Sequence, residues 1–201
     1  LGIYLYKIRP GIFKRTADIA FILILVVILS LLSALVIRND QLLNVYMIPF
    51  AIITILVTTF FDSRTAFYAY MITILICAPI THFPFEFLML QLSVGVVSIL
   101  TLKRLTQRSQ LIFNILWILC IYCLAYTSIS LLQEGSLTLV QWKMYVSFGI
   151  NSLLLLSSYL LIYLFEWMFG YISDVTLVEL ANINSKLLRE FSETCPGSFQ
   201  H

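Results

Sequence analysis

Two pairs of residues in this chain have the types and spacing that chemistry requires. Cys120-Ile-Tyr-Cys123 has the CxxC spacing of metal and redox sites, and His82 lies four residues before Glu86, close enough for a proton-sensitive pair. The cysteines sit inside an apolar run, where a thiolate lacks solvent and supporting ligands, and free Cys packs as a small hydrophobe. Packing is their expected role. His82 and Glu86 also admit a plainer reading, a carboxylate snorkelling to the interface beside an exposed imidazole. Gln91, Asn114 and Asn151 stand deeper in apolar segments and are expected to bond between helices rather than to line a substrate path. Asp62 and Arg64 read as a solvated pair flanking a turn, and Glu166 is placed for a structural ion pair with Lys103 or Arg104.

The absences narrow the chemistry further. There is no Gly-rich phosphate loop, no HExxH and no Ser/His/Asp constellation. Imidazole comes from His82 and His201, expected on opposite sides of a membrane, whereas a metal site takes three or more protein ligands. The residues by themselves make no complete active site.

The elements that must position these groups are membrane helices. Of 201 residues 61% are hydrophobic and 11% charged, and 12 Lys+Arg against 10 Asp+Glu leave a net charge of +2, too slight for a nucleic-acid polymer as partner. A hydrocarbon core of ~30 Å needs about 20 apolar residues. Six stretches qualify, at 18–37, 43–61, 65–82, 84–102, 110–132 and 144–168, joined by short turns. Pro84 is suited to open its helix, where a missing N–H costs nothing. The opening LGIYLY precedes its charges, the wrong order for a signal peptide, and reads as the end of a seventh span. The predicted fold is all-α, a polytopic transmembrane bundle of six complete spans plus the end of a seventh, over residues 1–170.

Charge sets the expected orientation. With residues 7–15 cytoplasmic, that side collects Lys7, Arg9, Lys14, Arg15, Arg64, Lys103, Arg104, Arg108, Lys186 and Arg189, against Arg38 and Lys143 outside. Both ends of the chain then face the cytoplasm. Trp142 and Lys143 anchor the outer end of the last span and Trp167 its inner end.

Beyond the last span the period changes. Leu177, Leu180, Ile183, Leu187, Leu188 and Phe191 recur at helical spacing, with Glu179, Asn184, Lys186, Glu190 and Glu193 on the other face. This predicts a cytoplasmic amphipathic coupling helix over 171–195, opened by Thr176-Leu-Val-Glu179 as a capping box and closed by Cys195-Pro196-Gly197. Its apolar face calls for a partner, a second copy in a homodimer or an attached domain.

The stretch FEWMFGYISDVTLVELANINSKLLREFSETCPGSFQH, residues 165–201, closely resembles a junction found in the bacterial seven-transmembrane HD phosphohydrolase family, the membrane-bound cyclic-di-AMP phosphodiesterases. Glu166, Phe169, Gly170, Ser173, Asp174, Thr176, Leu177, Glu179, Leu180, Asn184, Leu187, Leu188, Arg189, Pro196, Gly197 and His201 match its pattern in order. IYLYKIRP near the start, FFDSRTAF and Gly149-Ile-Asn151 are looser echoes. Lys186, Cys195, Ser198, Phe199 and Gln200 depart from the pattern, and Gln200 replaces the first of two histidines. The resemblance implies that His201 is the first metal ligand of an HD hydrolase domain that opens at 196–201, with an extracytoplasmic sensing domain before the first bundle helix. It further implies a pair of Mn or Fe ions in that domain, activating water for in-line attack on a cyclic dinucleotide, in a multi-pass protein of the bacterial inner membrane. Two rival readings stand beside it: a small transporter or channel in which Glu86, Gln91, Asn114 and Asn151 line a path, and a membrane dimerisation scaffold.

Overall fold

The computed structural model describes residues 16–38, 44–102, 109–134 and 141–170. The start of the chain, Lys103, Arg104, the predicted coupling helix and His201 lie outside the described residues. Among the described residues seven α-helices follow in order: α1 Thr16–Arg38, α2 Ile52–Phe60, α3 Ser63–Cys77, α4 Pro84–Thr101, α5 Ser109–Glu134, α6 Trp142–Leu155 and α7 Ser157–Phe169, with 3-10 turns at Val45–Met47 and Ala78–Ile80. The described residues contain no strand. The chain is a multi-pass helical bundle, as its hydropathy requires.

Among the described residues five segments are long and apolar enough to cross a bilayer, and they coincide with five of the six predicted stretches. α1 shows why. Its Phe21, Ile22, Leu25, Val26, Leu29 and Ser33 recur at three- and four-residue spacing and are buried, whereas Leu23, Ile24, Val27, Ile28 and Leu31 between them stay exposed. One stripe packs and the other faces lipid, so the helix is apolar all round and its amphipathicity is hidden. Pro84 stands at the start of α4 as expected. α6 and α7 form one 27-residue span, Trp142–Met168, with a local irregularity at Leu156, whose N–H bonds back to Leu153 O at 3.1 Å. Gly170 ends α7 in the left-handed conformation (φ 65°), a backbone that residues bearing a Cβ avoid.

The stretch 43–61 differs from a simple span. Pro49 removes a backbone donor and steers Ile48 out of the helical region, to φ −73° and ψ 125°. The segment becomes a 3-10 turn, an extended break and the nine-residue α2. Non-helical backbone at membrane depth survives where protein buries it. In the break itself Tyr46, Ile48 and Phe50 are buried and Met47 and Pro49 half-buried, and every residue from Ala51 to Val57 beyond it is buried. α2 is a plug inside the bundle, packed against α3, α4 and α7, while α4 packs most extensively on α5 and also on α3.

Aromatic rings close the plug at both ends. Toward Arg64, Phe21 meets Phe60 edge-on at 5.6 Å and Phe165 at 4.9 Å. Toward the opposite end, Phe50 meets Phe87 at 5.4 Å and Phe148 stacks on Tyr122 at 5.0 Å. Trp142 and Trp167 are 82% and 79% exposed at opposite ends of the last span, as interfacial anchors would be.

Candidate functional site

Lipid tails are as apolar as leucine, so helices in a membrane are held together by close packing and polar bonds more than by a hydrophobic drive. α4 supplies both. Gln91 is fully buried, and its Oε1 accepts from Tyr70 Oη of α3 at 2.8 Å and from Tyr122 Oη of α5 at 2.9 Å. Tyr70 Oη also lies 2.7 Å from the Gln91 carbonyl. One turn on, Gly95 makes room for the Tyr70 ring: a Cβ there would stand 2.2 Å from Cε1. A further turn on, Ser98 Oγ shares a hydrogen bond with Thr54 Oγ1 of α2 at 2.6 Å, and its carbonyl accepts from Asn114 Nδ2 of α5 at 3.2 Å. Gln91, Gly95 and Ser98 thus form a polar spine that joins α2, α3, α4 and α5.

A second set of bonds repairs the broken helix. Asn151 Nδ2 of α6 donates to the carbonyls of Tyr46 and Ile48, at 2.9 and 2.7 Å. Those carbonyls lie beside the break at Pro49, and a side-chain amide supplies what the helix cannot. Tyr46 turns its hydroxyl the other way and donates to Glu86 Oε1 at 3.3 Å. Asn151, Tyr46 and Glu86 therefore connect α6, the broken segment and α4.

Beside this chain of bonds is a cavity of about 490 Å³ at the Arg38 end of the bundle. Glu86, His82, Tyr46, Tyr126, Ser130 and Lys143 are among its lining residues, with Ile37, Val45, Phe83 and Met144 as apolar wall. Its volume falls in the 300–1,000 Å³ range of small-molecule sites, and it combines an apolar wall with convergent polar groups as such sites do.

The sequence-predicted residues divide cleanly. Gln91, Asn114 and Asn151 are buried interhelical hydrogen-bonding groups, as expected. His82 and Glu86 line one cavity, and the Glu86 carboxylate accepts from Tyr46. Asp62 caps α3, accepting from the amides of Arg64 and Thr65 and from the Thr65 hydroxyl at 2.7 Å. Glu166 is half-buried near the C-terminal end of α7, and its expected cations lie outside the described residues. Cys120 is exposed on α5 and Cys123 half-buried, both as free thiols. Among the described residues no three His, Cys, Asp or Glu side chains stand together to hold a metal. Tyr46, Tyr70, Tyr122, Thr54 and Ser98 were not singled out from sequence, and the nearest signal was the proline three residues after Tyr46.

No curated protein and no solved structure matches the chain significantly. The family described as "7TM receptor with intracellular HD hydrolase" matches residues 1–173. That span takes in every described helix, the polar spine and the cavity, and the chain belongs to this family.

Proposed function

We propose that this chain is the membrane and signal-coupling region of a metal-dependent HD-domain phosphodiesterase that hydrolyses cyclic-di-AMP in the cytoplasm of a bacterium. The observation that carries the reading is the run of matching residues from Glu166 to His201, which continues the family match at 1–173 into the pattern that opens an HD domain. In this reading the Arg64 end is cytoplasmic and the Arg38 end faces outward, in keeping with the Lys and Arg bias. His201 would be the chain's contribution to the metal pair, Mn or Fe, whose chemistry is to activate water toward a phosphodiester.

The bundle's own residues do the coupling. A shift at the cavity moves Glu86 and Tyr46, and α4 and the plug α2 carry it to α7, which packs on α2. α7 delivers it to the predicted coupling helix at 171–195, where a homodimer contact is also placed. Such transmission needs two arrangements of the bundle that both sites bias. Transport is the weaker reading, because Gln91, Asn114 and Asn151 are fully buried and bonded sideways to neighbouring helices.

The test is hydrolysis by the full-length protein in membranes supplied with Mn²⁺. Cyclic-di-AMP should be cleaved in preference to cyclic-di-GMP, and His201→Ala should lower the rate by at least about a hundredfold, the scale of a lost metal-site partner. A protein that prefers the guanine dinucleotide, or whose rate is indifferent to His201, overturns the assignment. Flux of ions or solutes through liposomes bearing the same protein would favour transport instead.

A further inference from the structure

We infer that the cavity at the Arg38 end is a binding site for a small zwitterion, an amino acid or short peptide, whose ammonium group faces Glu86 and whose carboxylate faces Lys143. The inference rests on the reading of the chain as a receptor module and adds the class of molecule it takes.

Four observations carry it. Glu86 is half-buried in the cavity wall, and the described residues give its carboxylate a single hydrogen bond, from Tyr46. A carboxylate offers about four acceptor directions, so it can accept from a ligand's ammonium as well as from Tyr46. Next, Tyr46 and Tyr126 line the same space, their rings packed on Phe148 into a fixed aromatic wall. Third, Lys143 is exposed at the cavity's edge, the complementary charge for an anionic group at the far end of the ligand. Fourth, Asn44, Val45 and Tyr46 of the broken segment line the cavity, and secondary transporters, for comparison, place their substrate sites at interrupted helices. The volume of about 490 Å³ suits a di- or tripeptide and exceeds what a simple ion needs.

The two charges should not count equally. Glu86 is half-buried and Lys143 exposed, so the ammonium contact should be the stronger and the carboxylate contact the more screened.

The test uses the full chain in lipid nanodiscs and calorimetric titration with three probes: alanyl-alanine, its N-acetyl derivative and its C-terminal amide. Alanyl-alanine should bind saturably, acetylation should weaken it about tenfold or more, and amidation about threefold. Glu86→Gln, which keeps the shape of the side chain and an acceptor for Tyr46, should erase the difference between the free and acetylated peptides. Lys143→Gln should erase the effect of amidation and leave that of acetylation. No saturable binding of alanyl-alanine up to about 10 mM, or an ammonium preference that survives Glu86→Gln, overturns the inference. Neither result touches the hydrolysis assay above, so a wrong ligand class and a wrong family activity are told apart.

Discussion

The two halves of α4 differ in how completely they are used. From Gln91 to Ser98 the helix is locked: two tyrosine hydroxyls converge on one amide oxygen, Gly95 admits a ring, and Ser98 ties α2 and α5 together. Near its start the same helix offers a half-buried carboxylate to an open cavity. The contrast separates two tasks. Interlocked packing transmits displacement because it has few intermediate arrangements, whereas a partly bonded charged group next to empty space can respond to a ligand. One continuous helix connects the two without a flexible joint.

Substitutions along α4 should reproduce this gradient. The largest effect is expected at Gly95→Ala, where the new Cβ overlaps the buried Tyr70 ring, at about 3 kcal/mol of stability. Unfolding in mixed micelles would measure it. Gly95→Ala combined with Tyr70→Ala should cost less than the sum of the two, since the pair shares one space. If the costs simply add, the locked half is not locked by that contact. Gln91→Leu should cost about 2 kcal/mol by leaving the Tyr70 and Tyr122 hydroxyls without their common acceptor. Asn151→Ala should cost about 1 kcal/mol, and it should also weaken dipeptide binding, because it frees the carbonyl of Tyr46 and with it the donor to Glu86. The smallest change in stability, within about 0.5 kcal/mol, belongs to Glu86→Gln, although it should abolish ammonium recognition. A large loss of stability there would place Glu86 with the locked half and erase the distinction.

Much of this architecture could be read from the residues, and the exceptions have physical causes. Five spans were evident because lipid exposure demands long apolar runs. The stretch 43–61 was equally apolar, but hydropathy averages over Pro49, and a single proline decides whether the backbone can stay helical there. Gln91, Asn114 and Asn151 stood out because an amide in hydrocarbon must find a partner. Their partners did not stand out. Asn151 bonds backbone carbonyls more than a hundred positions away, and every residue has a carbonyl. Tyr70 and Tyr122 are two of 11 tyrosines, and nothing local marks a hydroxyl that meets a glutamine. The pairing of Glu86 with Tyr46, 40 positions apart, was hidden for the same reason, while the nearby His82 drew attention by proximity in sequence. Asp62 could have been read as a cap from the Asp-Ser-Arg-Thr order, since its carboxylate is placed for the first free amides of α3.

The nine-residue plug has a mechanical corollary. At 1.5 Å per residue α2 is about 14 Å long, roughly half the thickness of the hydrocarbon, and its buried flanks never meet acyl chains. α1, by contrast, runs about 34 Å with a bare aliphatic side. Stretching or thickening the bilayer therefore acts first on the peripheral rods and reaches the pin they surround only through the helices packed on it.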